Sequence, residues 1–189
     1  MHIEQFGGIL GKTSNLIHER GVYMFLYPTK TGNQVYYIGK TENYYSRMKD
    51  HYRYYSSGCI WLPVDIKLFQ DDIYALYRIE DPSHYQKYFQ KPDGTKKMQE
   101  IGQHLLRDTK VALSSVQNMN GLHMAHIESL LIHGFLRKWK LPKMGWIGDS
   151  QTDFPSEDYT IINCYKDDMI RNELSDSIPE KVTFEISIE

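Results

Sequence analysis

Residues 21–51 read GVYMFLYPTKTGNQVYYIGKTENYYSRMKDH, and this stretch predicts the centre of the fold. Its first seven residues are apolar and rich in Val, Phe and Tyr, which is typical of a β-strand. Residues 28–34 are dense in turn formers, and residues 35–39 again have the composition of a strand. The stretch therefore predicts an antiparallel hairpin.

A helix is predicted directly after this hairpin, over residues 43–55. Thr41 or Asn43 can serve as its N-cap, and Gly58 lies just past its end. Arg47 and His51 are four residues apart, so they share one face of this helix.

The remaining elements are predicted from shorter patterns, working outward from the hairpin. Helices are expected around residues 14–18, over 98–107 and over 122–139; strands are expected over 110–117, 159–165 and 182–188, with an extra hairpin within 61–80. The fold class is therefore α+β, with a small, mainly antiparallel three-stranded central sheet flanked by helices. An insertion over residues 56–109 and a pair of C-terminal strands elaborate it. We expect one domain over residues 1–189, with its core at about 20–145.

Charge is distributed unevenly along a chain whose formal net charge is only -2. Residues 149–189 carry 11 acids and 3 bases, so this segment is an acidic C-terminal extension. The first 148 residues carry the remaining 19 bases and 13 acids, a balance of +6. A basic body of this kind is compatible with nucleic-acid binding on one face.

Several classes of protein are disfavoured by the sequence. No apolar run approaches the roughly 18 residues of a membrane span, and the N-terminus does not resemble a secretory signal. Cys59 and Cys164 fit no zinc spacing and are expected to be free thiols, which indicates a cytoplasmic location. Residues 8–13, GILGKT, lack the first glycine of a phosphate-binding loop, so no nucleotide cofactor is expected.

Glu128 is the most informative single residue outside the hairpin. The helix predicted around it is apolar on nearly all sides, and a carboxylate in such a setting is costly unless it is paired or binds a metal. An ion pair with Arg47 or Lys40 is the alternative to a metal site. Zinc is disfavoured, because His126 lies two residues away on a different face and no HExxH motif is present.

A set of short motifs occurs in a fixed order along the chain: Gly21-Val22-Tyr23, Tyr37-Ile38-Gly39 after 13 intervening residues, Thr41, Arg47, His51 and Glu128. In this order and spacing the chain resembles the GIY-YIG nuclease family over roughly residues 20–55 and 110–145. The resemblance implies a metal-dependent endonuclease that hydrolyses DNA phosphodiester bonds to a 5′-phosphate and a 3′-hydroxyl. The Asn that commonly follows the Glu helix in this family has no clear counterpart, and Asn163 is only a weak candidate.

The expected roles follow from the resemblance and from residue chemistry. Tyr23 or Tyr37 positions or activates the attacking water, with a nearby cation lowering the tyrosine pKa, and His51 relays a proton or holds a tyrosine in place. Arg47 suits bidentate contact with a phosphate. By resemblance, Glu128 is the sole protein ligand of Mg²⁺ or Mn²⁺.

Double-stranded DNA is the expected partner, with Lys40, Lys49 and Arg53 meeting its phosphates. Since no second DNA-binding module is evident, a restriction-type double-strand cutter acting as a homodimer is favoured. A phage, homing or repair nuclease remains open, as does a catalytically weak DNA-binding module on the same fold. A tyrosine-rich protein-interaction domain is a further alternative from a different class.

Overall fold

The central sheet contains four antiparallel strands in the order β1-β4-β2-β3. In chain order these strands are β1 (His2–Gln5), β2 (Gly21–Thr29), β3 (Gly32–Thr41) and β4 (Lys110–Ser115). Helix α1 (Tyr44–Ser57) follows β3, and helix α2 (Gly94–Asp108) precedes β4. A second, two-stranded antiparallel sheet pairs β5 (Tyr159–Ile162) with β6 (Lys181–Phe184).

The structure is a computed structural model, and it describes residues 2–5, 18–29, 32–58, 92, 94–115, 124–129, 131–132, 159–162 and 181–184. Several predicted features lie outside these residues: the helix around 14–18 apart from its last residue, the hairpin within 61–80, both cysteines and Asn163. Among the described residues, no helix has the length and apolar character that a bilayer crossing requires.

The predicted α+β class, with a small antiparallel sheet and helices, is confirmed, but the strand number was too low. The three predicted strands form β2, β3 and β4, and β1 pairs with β4 as a fourth strand at the edge. With only the four residues HIEQ, β1 has little strand propensity of its own. It forms a strand because it pairs with β4. Helix α2 begins at Gly94, four residues before its predicted start. The predicted C-terminal strand pair is confirmed for its described residues.

Strand β2 lies at the centre of the core. The side chains of residues 22–27 are each no more than 3% exposed, so the strand is buried on both of its faces. This explains why its sequence, VYMFLY, is continuously apolar rather than alternating with polar residues. Burial of six large side chains on one strand makes β2 the rigid element from which the candidate site is built.

Helix α1 is fixed against the sheet by its own N-terminal end. The Asn43 side chain accepts a hydrogen bond from the backbone N–H of Ser46 at 2.9 Å, which identifies Asn43 rather than Thr41 as the N-cap. At the first residue of the helix, the buried Tyr44 hydroxyl donates to the Ser114 carbonyl oxygen in β4 at 2.6 Å. Tyr44 was not among the residues singled out from the sequence, yet it ties α1 to the sheet and so positions the residues that follow.

A β-bulge in the hairpin changes which tyrosines share a face. Phe25 is paired with Tyr37 and Leu26 with Val35, so Tyr36 is an extra residue in β3. Neighbouring residues of a regular strand point to opposite faces. Here the rings of Tyr36 and Tyr37 both contact the Phe25 ring, at centroid distances of 5.8 and 5.2 Å. The bulge therefore gathers aromatic side chains on the side of the sheet that α1 covers.

Candidate active site

Tyr23 is the centre of a hydrogen-bonded group that joins β2 to α1. Its side chain is fully buried, and its hydroxyl lies 3.1 Å from Nε of Arg47 and 2.7 Å from Nε2 of His51. Arg47 and His51 lie one helical turn apart on α1, as their spacing predicted, and both reach the same phenol. Three of the expected site residues are therefore brought into direct contact.

Donor and acceptor roles in this group follow from its chemistry. The Nε–H of Arg47 is a donor and has no acceptor capacity, so the Tyr23 oxygen accepts from it. The Tyr23 hydroxyl proton is then directed to Nε2 of His51, which accepts. This assignment requires a neutral His51 with its proton on Nδ1. The result is a directional chain from Arg47 through Tyr23 to His51.

The electrostatics of His51 agree with that neutral form. Burial, followed by the positive charge of Arg47, lowers the pKa of His51 from 6.5 to about 3. Both effects disfavour an imidazolium in this position, since no carboxylate among the described residues pairs with the ring. His51 is therefore neutral near pH 7 and acts in the folded protein as a hydrogen-bond acceptor.

The Tyr23 phenol keeps its proton as well. Burial raises the pKa of Tyr23 well above its ordinary value of 10.0, and the neighbouring Tyr37 raises it further. Arg47 lowers the pKa, as the sequence led us to expect of a nearby cation, but burial has the larger effect. Full burial also keeps solvent away from this hydroxyl. Tyr23 is thus a protonated phenol, held in place by two neighbours.

A depressed His51 pKa has a consequence for stability that can be measured. Between about pH 6.5 and about pH 3 the unfolded chain binds a proton at this residue and the folded chain does not, so stability falls as the pH falls through this window. At about 1.4 kcal/mol per pKa unit, we expect His51 to contribute a loss of about 3 kcal/mol between pH 7 and pH 4.

Denaturant unfolding of the wild type and of His51→Gln at several pH values measures this contribution. Gln keeps an acceptor for Tyr23 but does not titrate, so the variant should have a shallower loss of stability in acid. Gln103→Ala, an exposed substitution on α2 that removes no titratable group, should retain the wild-type slope. Equal slopes for wild type and His51→Gln would contradict the neutral, buried state of His51.

Tyr37 lies beside Tyr23 but is only half-buried. The two rings are stacked, with centroids 5.9 Å apart, and the Tyr37 ring meets His51 edge-on at 5.2 Å. Its hydroxyl is close enough to interact with both Tyr23 and Arg47. Of the two expected tyrosines, Tyr37 is therefore the one whose side chain reaches solvent.

Gly39 provides the space that this arrangement needs. It lies opposite Tyr23 in the β2–β3 ladder, and a Cβ atom there would be 2.6 Å from the Tyr23 hydroxyl oxygen and 2.9 Å from the Tyr37 ring. Real Cβ atoms do not approach other atoms this closely. The glycine of the second tripeptide is thus explained by the tyrosines that pack across it.

Glu128 lies in a helical segment, with residues 124–129 and 131–132 described as helix. Its carboxylate is 16% exposed, and Oε2 accepts from Nζ of Lys40 at 2.6 Å. Of the two ion pairs considered from the sequence, the one with Lys40 is therefore present. Among the described residues, neither a hydrogen bond nor an ion pair connects Glu128 to Tyr23, Arg47 or His51. Within the described residues, the expected site thus forms two hydrogen-bonded groups with no direct bond between them, the Arg47–Tyr23–His51 chain and the Lys40–Glu128 pair.

The donor set at Glu128 fits one kind of cation. The part of the chain that the structure describes has no group of three or more His, Cys, Asp or Glu side chains that could hold a metal. A metal ion whose ligands all come from the protein does not fit a site with this single carboxylate. Mg²⁺ commonly retains several waters and is held by one or two carboxylates together with substrate phosphates. A single, partly exposed carboxylate fits that mode of binding.

The outer face of α1 carries the other expected contacts. Lys49 and Arg53 are exposed there, and Arg53 lies 3.9 Å from Asp50 one turn earlier. Tyr52 and Tyr54 are also exposed, at 41% and 55%, which is unusual for such large side chains. The exposed part of this helix therefore presents both charge and aromatic surface to solvent, with Lys49 and Arg53 on the side away from Arg47 and His51.

Comparison with known proteins gave no matching family model, no match among curated proteins and no match among solved structures.

Proposed function

We propose that this protein is a divalent-metal-dependent endonuclease that hydrolyses phosphodiester bonds in DNA. The observation that carries the proposal is the buried chain from Arg47 through Tyr23 to His51, with the half-exposed Tyr37 beside it. The ordered motifs of the sequence also support it, since their resemblance to the GIY-YIG family concerns these same residues.

Arg47 is the phosphate-binding residue in this proposal. Its Nε is engaged by Tyr23 and its side chain is half-buried, so the guanidinium is held in one orientation. The two terminal nitrogens retain donors that suit the paired oxygens of a phosphate. An oriented charge of this kind stabilises the negative charge that develops in the transition state without having to reorganise.

Tyr37 is the residue we assign to the attacking water, because Tyr23 is fully buried. Tyr23 fixes the position of its neighbours. Moving a proton onto His51 at pH 7 would cost about 5 kcal/mol, given a pKa of about 3 and about 1.4 kcal/mol per unit. His51 is therefore better suited to hold the Tyr23 hydroxyl than to serve as the final proton acceptor.

Glu128 is the metal-binding residue in the proposal, with Mg²⁺ or Mn²⁺ as the ion. When bound, such an ion supplies Lewis-acid polarisation of the phosphate oxygens. The protein's own contribution is one carboxylate that is 16% exposed. Lys40, which contacts Glu128, and the exposed Lys49 and Arg53 would contact the DNA backbone. Double-strand cutting by a homodimer and a restriction role remain predictions from the sequence.

A catalytically weak DNA-binding module is the second candidate function. It is favoured by two observations, the complete burial of the Tyr23 hydroxyl and the occupation of the Glu128 carboxylate by Lys40. Such a module would bind DNA in a salt-dependent manner and leave it intact.

Incubation with supercoiled plasmid in the presence of Mg²⁺ tests the nuclease against this alternative. We expect the wild type to nick or linearise the plasmid and a chelator to prevent this. Arg47→Lys keeps the charge but loses the paired donors and the bond to Tyr23, so it should cut at least about tenfold more slowly. Arg107→Lys, on the exposed surface of α2, is the matched control. DNA left intact by the wild type across varied substrates would reject the nuclease.

A further inference from the structure

The Lys40–Glu128 ion pair carries an inference about how the candidate metal site is controlled. Nζ of Lys40 lies 2.6 Å from Oε2 of Glu128, a short, charge-assisted hydrogen bond. The carboxylate is mostly buried, at 16% exposure, whereas the lysine side chain is 37% exposed. The pair therefore joins a fixed anion to a cation that has room to leave.

A divalent cation and the lysine ammonium compete for the same oxygen atoms. Both are attracted by the single negative charge of Glu128, and the described residues offer no additional cluster of carboxylates to share between them. A metal ion within about 2.1 Å of Oε2 would repel an ammonium group that remained at hydrogen-bonding distance. Occupation by one cation therefore excludes the other.

Lys40 is well placed to move rather than to remain as a permanent partner. It directly follows Gly39 near the end of β3, and its backbone is fixed by pairing with Val22 in β2. A lysine side chain on a fixed backbone can swing its charge through several ångströms, because its four-carbon stem is flexible. DNA phosphates are the strongest competing acceptors for that charge in the proposed reaction.

We propose that Lys40 occupies the Glu128 carboxylate in the DNA-free protein and must release it before a divalent cation can bind there. The proposal rests on the proposed role of Glu128 as the metal ligand. It assigns to Lys40 a positioning role that is additional to phosphate contact. The two binding events are then coupled. A cation on Glu128 raises the affinity of the protein for DNA by the same factor by which DNA raises its affinity for the cation, because each releases Lys40 from Glu128.

Mn²⁺ titration of the full chain without DNA, followed by electron paramagnetic resonance of the free ion, tests the proposal directly. Lys40→Met removes the competing charge and keeps the side-chain volume, so it should bind Mn²⁺ at least about fivefold more tightly than the wild type. Lys40→Arg keeps a cation beside the carboxylate and should bind as weakly as the wild type. If Lys40→Met fails to fold, Lys40→Gln provides the same neutral comparison.

Two further variants identify where the ion binds. In Lys40→Met combined with Glu128→Gln, the gain in Mn²⁺ affinity should disappear. Lys96→Met removes one positive charge from the exposed surface of α2 and should leave Mn²⁺ affinity unchanged, which separates local competition from net charge. Three results would overturn the proposal. Lys40→Met could bind Mn²⁺ no more tightly than the wild type, or its gain in affinity could survive the loss of Glu128. The third is that neither protein binds Mn²⁺ at millimolar concentration.

These outcomes are independent of DNA cleavage. If the wild type cuts plasmid but Lys40→Met gains no affinity for Mn²⁺, the competition is rejected and the nuclease stands. If Lys40→Met gains affinity through Glu128 but the wild type cuts no DNA, the competition stands and the nuclease is rejected.

Discussion

Glu128→Gln should lower the rate of Mg²⁺-dependent plasmid cleavage by about 10³-fold or more. A bound divalent cation stabilises a phosphodiester transition state by several kcal/mol, and about 4 kcal/mol corresponds to a factor of about 10³ in rate. Gln has the shape of Glu but lacks the charge that holds a hard cation. Because the described residues supply no other carboxylate cluster, nothing in that part of the chain would compensate for the loss.

The fold should tolerate this substitution. Lys40, the partner of Glu128, is 37% exposed and can be solvated when the carboxylate is replaced by an amide. Thermal unfolding should therefore change little, which separates a loss of catalysis from a loss of structure. Glu100→Gln, an exposed position on α2, removes an equal charge and should cut at the wild-type rate. Cleavage by Glu128→Gln within about tenfold of the wild type would remove the metal ligand from the proposed mechanism.

Local sequence patterns were sufficient for the elements that carry the candidate site. Strand β2 is continuously apolar, and α1 has both a cap residue and a terminal glycine, so each element is specified by its own residues. Gly58 indeed has φ +72, the left-handed conformation expected at the end of a helix. The spacing of Arg47 and His51 then placed both side chains on one face without any knowledge of the tertiary structure.

Other features depend on residues far apart in the chain, and the sequence did not predict them. The bulge at Tyr36 results from the pairing between β2 and β3, which composition does not encode. The burial of Tyr23 depends on α1 covering it, and this burial raises the tyrosine pKa that Arg47 alone would lower. The sequence leaves Lys40 and Arg47 as alternative partners of Glu128. The choice between them required the fold, because Arg47 is held by Tyr23 instead.

Gly21→Ala should be among the most destabilising single substitutions in the chain. Gly21 begins β2 and is paired on both sides, with Thr41 in β3 and Ser115 in β4. A Cβ atom at this position would overlap the Ser114 carbonyl oxygen and the Tyr44 hydroxyl. The Ser114 carbonyl oxygen is part of the backbone of the sheet, so it cannot move without disturbing the strand pairing. We expect a loss of about 3 kcal/mol or more in the free energy of unfolding.

Denaturant unfolding of Gly21→Ala and of a matched glycine measures this cost. Gly58→Ala introduces the same methyl group at a positive φ at the end of α1, where about 1–2 kcal/mol is expected. The test is which of the two variants loses more free energy of unfolding, rather than the size of either loss. A smaller loss for Gly21→Ala than for Gly58→Ala would contradict the close approach of α1 and β4 to the start of β2.

A double-mutant cycle shows which atom causes the strain at Gly21. Tyr44→Phe alone removes the hydrogen bond to the Ser114 carbonyl oxygen and should cost about 1 kcal/mol. In the double variant the hydroxyl that the new methyl group meets is gone, so the combined loss should be smaller than the sum of the single losses. Strict additivity would mean that the Ser114 backbone alone excludes a side chain. A combined loss below that sum would mean that Gly21 is also required by the Tyr44 contact that anchors α1, just as Gly39 is required by the tyrosines that α1 covers.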